Sequence, residues 1–172
     1  MPCMMSCRSQ EKGDKVKEMI MDELQIKVIN ENELDNALSL VWKVFQEYEA
    51  PDYNQKGIDE FGKSIHDPNF LAKLTIYGAF TGSKLVGLIA TRSGGSHIAL
   101  LFVDGEYHRK GIGRQLFHTV IEKCPTAVMT VNSSPYAVPV YHRLGFHDTN
   151  TEQVVNGLRF TPMEYHITGR TK

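Results

Sequence analysis

At 172 residues the chain has the length of one domain, and a domain of this size hides roughly 70% of the surface its unfolded form would expose. Hydrophobic residues make up 41% and charged residues 23%, which excludes the low-hydrophobicity signature of disorder. A formal net charge of -1 argues against nucleic acid and membrane surfaces as general partners, because both select for a broad basic face.

No apolar run approaches the roughly 18 residues of a membrane span, and the N-terminal stretch lacks the apolar core of a secretory signal. The three cysteines, Cys3, Cys7 and Cys124, are odd in number and too few for a disulfide framework, so a reducing cytoplasm is the expected setting. Cys3 and Cys7 find no downstream Cys or His pair at zinc-like spacing, and His66, His118, His142, His147 and His166 show no ligand spacing among themselves. No metal is therefore expected.

In chain order, residues 1–22 are polar, with no sustained apolar period, and read as an extension outside a single domain spanning 23–172. "ELQIKVI" (23–29) alternates like a half-buried strand, and Leu34, Leu38, Val41, Phe45 and Tyr48 then mark an amphipathic helix that Pro51 ends. Ile58, Phe61 and Ile65 predict a further short helix before "HDPN" breaks the pattern. Three strands follow, at 74–80, 84–92 and 97–103, separated by "TGS" and "SGGS" and reading as an antiparallel meander. Leu116, Phe117, Val120 and Ile121 predict a helix, "TAVMTV" (126–131) a buried strand, "AVPVYHRL" a short helix stopped by Gly145, and "LRFTPMEYHI" a last strand. Sequential strands followed by alternating strand and helix imply a mixed sheet with helices packed on it.

Between the third strand of the meander and the next helix, "LFVDGEYHRKGIGRQLFHTV" (101–120) places Arg109, Lys110 and Arg114 around Gly111 and Gly113. The first amides of a helix lack internal partners and its dipole is positive there, so a strand-to-helix turn of this kind suits a phosphate. It has neither the G-K-[ST] ending of a P-loop nor the third glycine of a dinucleotide fingerprint. Glycines also serve such turns merely by permitting positive φ. A second stretch, "VNSSPYAVPVYHRLGF" (131–146), leaves a strand through Asn132, reaches Tyr141 on a short helix and ends at Gly145 and Phe146.

Together the two stretches resemble the GNAT N-acetyltransferases, over about residues 24–168. In that superfamily a Q/R-x-x-G-x-G/A pattern wraps the pyrophosphate of coenzyme A; here it falls on His108, Arg109, Lys110, Gly111, Ile112 and Gly113, with His108 departing from the pattern at its first position. The resemblance implies a mixed, mostly antiparallel α/β (α+β) sheet of six to seven strands flanked by about four helices. It also implies acetyl transfer from acetyl-CoA to an amine, with the donor held by Leu101, Phe102 and Val103 of the fourth strand, by residues 108–113, by Arg114 and by Asn132. By the same resemblance Tyr141 is the general acid for the leaving thiolate, and His97 stands where the histone-acetyltransferase branch carries a catalytic glutamate. The competing reading of His97 is a structural strand histidine, with a water or no dedicated base deprotonating the amine.

The resemblance further implies an acceptor, a small-molecule or peptide/protein amine, bound between the first two helices near Glu47, Glu49 and Asp52, whose charges suit a cation and equally suit an exposed helix end. The expected state is monomer or homodimer. Two other functions compete: a non-catalytic acyl-CoA-binding or sensing module of the same fold, and a nucleotide-binding protein using the same turn. No G-x-S-x-G elbow supports a hydrolase.

Overall fold

The computed structural model describes residues 23–170; the extension expected over residues 1–22, with Cys3 and Cys7, lies outside the described residues. Eight strands form the sheet: β1 (Leu24–Val28), β2 (Thr75–Thr81), β3 (Lys84–Arg92), β4 (His97–Val103), β5 (Val128–Ser133), β6 (His147–Asp148), β7 (Gln153–Val155) and β8 (Leu158–His166). The five α-helices among the described residues are α1 (Leu34–Val44), α2 (Gln55–Ser64), α3 (Pro68–Leu71), α4 (Ile112–Lys123) and α5 (Val138–Leu144). The strand order is β1-β2-β3-β4-β5-β8-β6, with β7 pairing β8 as a hairpin. Every pairing is antiparallel except β4 with β5.

The antiparallel meander forms as β2 with β3 and β3 with β4, its turns short and polar, with a register shift in each pair, between Ala79 and Phe80 and between Ala90 and Thr91. The elements beyond the sequence reading are small: β6, β7 and α3, none longer than four residues. The helix expected through Tyr48 also divides. Its α-helical part stops at Val44, and Phe45–Glu49 continue as a π turn that widens the backbone and swings Glu49 inward. β5 runs two residues later than the apolar pattern suggests, so Asn132 and Ser133 are strand residues paired with Pro162 and Thr161.

Helices cover both faces of the sheet. On one face α1, the π turn and α2 pack Val41, Phe45 and Phe61 against Leu88, Ala90, Leu100 and Phe102, with the Phe45 and Phe61 rings stacked 4.0 Å apart. On the other, α4 and α5 bury Leu116, Phe117 and Tyr141 against Ile89, Ile98, Met129 and Met163. An extra residue in β4, Ala99, breaks its alternation: Thr91 pairs Ile98 but Ala90 pairs Leu100. Ile98 therefore faces α4 while Leu100, two residues on, faces α1. No described helix is long and apolar enough to cross a membrane.

Candidate acetyl-transfer site

β4 and β5 are joined at only two positions, His97 with Thr130 and Ile98 with Val131. Beyond the bulge they diverge, and among the described residues no strand pairs with that edge of β4 again. The wedge opens into a cavity of about 440 Å3 walled by Leu100, Leu101 and Phe102 on one side and Val131, Asn132 and Ser133 on the other. Open peptide groups on a strand edge accept an extended, amide-bearing ligand as an added strand.

At the mouth of the wedge the chain turns from β4 into α4. Asp104 is buried there, accepting from the Glu106 amide at 3.1 Å and from Lys43 Nζ at 2.9 Å. Burial alone would raise its carboxyl, but Lys43 and the Glu106 amide outweigh it and hold it below its ordinary value. Arg109 (φ 60°) and Gly111 (φ 80°) adopt left-handed backbone, which folds the 109–111 segment back over the start of the helix. Gly111 caps α4 without a side-chain acceptor, and the Gln115 amide, bonded to the Gly111 carbonyl at 3.1 Å, is the first in the helix to find one. The amides from Arg109 to Arg114 thus make no hydrogen bond to a described group. Arg109 and Arg114 are exposed, and Lys110 lies 5.0 Å over the Tyr107 ring. His108 turns the other way: its Nε2 donates to the Val103 carbonyl at 2.7 Å, and its ring packs 4.8 Å from that of Tyr48.

The "YHRLGF" run is a helix stop in physical terms. The Phe146 amide donates to the Tyr141 carbonyl and the Gly145 amide to that of His142, both at 3.0 Å, while Gly145 takes φ 104°. The Phe146 ring closes the motif edge-on against Tyr141, centroids 5.2 Å apart. Tyr141 is thereby fixed from both its backbone and its ring, 4% exposed, in the cavity wall. Its hydroxyl bonds to no described group, yet no buried side-chain polar atom among the described residues lacks a partner. The hydroxyl therefore reaches open cavity. Burial, followed by the nearby Glu49 carboxylate, pushes its pKa well above that of an ordinary phenol.

Of the three acids expected at the acceptor end, Glu49 alone lines the cavity; Glu47 and Asp52 are exposed outside it. Burial raises the Glu49 pKa to about 7, against a hydrogen bond to Ser134 that lowers it, with Asp52 adding a smaller push upward. His97 does not line the cavity. Both its nitrogens are engaged, Nδ1 with Thr130 Oγ1 at 2.8 Å and Nε2 with the Arg92 guanidinium at 3.4 Å. Burial, then Arg92, drives its pKa down to about 4.

Sequence reading passed over several wall residues: Glu60 and Phe61 on α2, and Asn156, Leu158, Arg159 and Phe160 from the β7–β8 hairpin. The hairpin turns on Asn156 (φ 52°) and Gly157 (φ 83°), and Val155 pairs Leu158 across it. Asn-Gly between strand-like runs is a strong hairpin signal and was available in the sequence. The hairpin is held over the cavity by Tyr53, whose hydroxyl donates to the Arg159 carbonyl at 2.9 Å, and by Arg159, which donates to the Asp52 carbonyl at 2.8 Å. A Cβ on Gly57 would collide with the Gly157 carbonyl, so α2 and the hairpin touch backbone to backbone.

The central parallel pair of a mixed sheet thus splays beside a glycine turn that opens a helix. The sequence matches the acetyltransferase (GNAT) domain family over residues 49–167, and the chain belongs to that family. It is 32% identical over 84 residues to the uncharacterized N-acetyltransferase YafP of Escherichia coli K12, an alignment covering 49% of this chain and 53% of that protein; the chain thus matches about half the length of that relative. Among solved structures, a GCN5-related N-acetyltransferase from Rhodopseudomonas palustris superposes with a TM-score of 0.73 at 17% identity, covering 83% of this chain and 95% of that one. The PaiA N-acetyltransferase of Thermoplasma acidophilum, solved in complex with coenzyme A, gives 0.68 at 18% identity over 83% and 98% of the two chains.

Proposed function

We propose that the protein moves an acetyl group from acetyl-CoA to a primary amine of a small molecule or peptide, by direct attack within a ternary complex. The observation that carries this reading is the divergence of β4 from β5, which leaves an open strand edge, a buried tyrosine and a carboxylate of raised pKa around one cavity. The residues present fit the donor. Unpartnered amides from Arg109 to Arg114 suit a pyrophosphate, flanked by Arg109, Lys110 and Arg114, and the edge of Leu101 to Val103 that β5 leaves unpaired suits a pantetheine arm, although His108 already occupies the Val103 carbonyl. The coenzyme A complex of the Thermoplasma neighbour supports the same assignment.

Acetyl-CoA supplies an activated acyl group, and the protein's own residues hold it and move protons. The Leu101 backbone N–H serves to polarise the thioester carbonyl, a fixed dipole that needs no reorganisation, and Asn132 offers an uncommitted amide on the opposite wall. An alkyl ammonium near pKa 10 must lose a proton before it can attack. Glu49, with a pKa of about 7, is the base: a substantial share is ionised at neutral pH and it lies in the cavity wall, whereas His97 has neither a free nitrogen nor a place there. Tyr141 donates to the departing thiolate. Burial keeps the phenol protonated until a thiolate, destabilised by the same desolvation, needs the proton. Tyr53, Phe61, Phe70 and Phe160 line the same cavity as Glu49 and Glu60, which suits a cationic amine on an apolar body.

The test is an amine panel incubated with acetyl-CoA and a thiol-detecting reagent. Amine-dependent thiol release is expected, strongest for hydrophobic primary amines. Tight coenzyme A binding without turnover on any amine would favour the sensing module, and thermal stabilisation by ATP or NAD at least as large as by acetyl-CoA would overturn the reading.

A further inference from the structure

On the far side of the sheet from the meander, the two-residue strand β6 pairs with β8 so that His147 lies directly opposite Glu164. Glu164 and His166 stand two residues apart on β8 and share one face of that strand. The result is a convergence that linear spacing does not show. Glu164 Oε1 is 3.1 Å from His147 Nε2 and 2.8 Å from His166 Nε2. The imidazoles stack with centroids 5.3 Å apart and planes 15° from parallel, and one ligand atom from each of the three residues falls within a 4.8 Å span.

Two features set this trio apart from a surface ion pair. Both histidines present the same nitrogen, Nε2, to one carboxylate oxygen, so as hydrogen bonds they crowd a single acceptor. All three residues sit on paired strands, which fixes their Cβ positions before any ligand arrives. We propose that His147, Glu164 and His166 form a binding site for a divalent transition-metal ion of the zinc type, with water completing the coordination. Metal bonds of about 2.0–2.1 Å near the tetrahedral angle put ligand atoms roughly 3.3 Å apart, so the 2.8 and 3.1 Å contacts open slightly and one imidazole turns out of the stack about χ2 to aim its in-plane lone pair at the ion. Two imidazoles and a carboxylate select zinc, nickel, copper or cobalt over magnesium and calcium, which prefer all-oxygen shells. The site lies outside the acetyl-transfer cavity. What it would secure is β6, the strand that follows the α5 stop at Gly145 and Phe146.

The test uses tag-free full-length protein carrying Cys3→Ser and Cys7→Ser, which removes the competing thiols, and needs no acetyl-CoA. Calorimetry with Zn2+ is expected to show one equivalent bound at micromolar affinity or better, with a rise in melting temperature; Mg2+ at the same concentration gives neither. His147→Ala and His166→Ala each abolish saturable binding. Glu164→Gln weakens it by roughly tenfold or more, the loss that even an outer-sphere partner can cost. His142→Ala, which breaks a separate 2.7 Å contact with Asp148, leaves it unchanged. If an alanine variant unfolds, His166→Gln replaces it. Absence of saturable Zn2+ heat, or undiminished affinity in the His147 and His166 variants, would overturn the site.

Discussion

The proposed donor end of the cavity comes from one contiguous stretch, Leu101 to Arg114, and would work largely through backbone: a strand edge that β5 leaves unpaired and a run of bare amides shaped by positive φ at Arg109 and Gly111. The proposed acceptor end is assembled from the π turn at Glu49, from α2 and from a hairpin about a hundred residues further on, and would work through side chains. Backbone chemistry tolerates exchange of residue type as long as the turn forms. Side-chain chemistry does not, so substitutions of similar size should act very differently at the two ends.

The sharpest contrast is expected at Tyr141, where the two ends meet. Tyr141→Phe removes only the hydroxyl from the wall and should lower kcat by roughly 100-fold or more, within the range for loss of a general acid, while calorimetry shows coenzyme A affinity nearly unchanged. Wild-type turnover in that variant would dissolve the assignment. Next in size is Glu49→Gln, with kcat/KM down by about 100-fold and the pH profile altered. In the wild type log kcat/KM should rise with pH up to about 7, where Glu49 loses its proton, and the variant should lack that limb. His97→Ala should keep the limb, because a group whose pKa is held near 4 stays neutral across the range; a profile flattened by His97→Ala instead would return the base to that histidine.

Smaller effects test the backbone side. Arg109→Gln with Arg114→Gln should raise the coenzyme A Kd by about thirtyfold or less, since both side chains are exposed and each charge-assisted contact is then worth at most about 1 kcal/mol. His108→Ala should change that Kd by less than about threefold, because its imidazole serves the Val103 carbonyl rather than the ligand. A large loss of affinity in His108→Ala would show that a side chain, not the amides, holds the diphosphate.

How much of this was legible tracks the range of the interaction. The meander, the two long helices flanking the sheet, the glycine turn and the Tyr141–Phe146 helix stop were readable because each is set within a few residues: alternation by the pleat, left-handed φ by glycine, the stop by hydrogen bonds closing inside six residues. The β7–β8 hairpin had its Asn-Gly signal and was overlooked. In the sequence Glu49 is one of three equivalent acids, and nothing local distinguishes it from Glu47 or Asp52; the π turn and the burial around it do. His97 stood at a sensible strand position, but what its two nitrogens touch is decided by Thr130 and Arg92 on neighbouring strands.

The amino-acid order by itself determined the sheet's alternation, the turn that bares the amides and the helix that carries Tyr141, since these depend on backbone preferences and contacts a few residues apart. Only the tertiary structure decided which carboxylate is desolvated, that β4 parts from β5, and that His147 meets Glu164 and His166. Desolvation and strand register are properties of surfaces brought together from distant parts of the chain, and no local pattern encodes them.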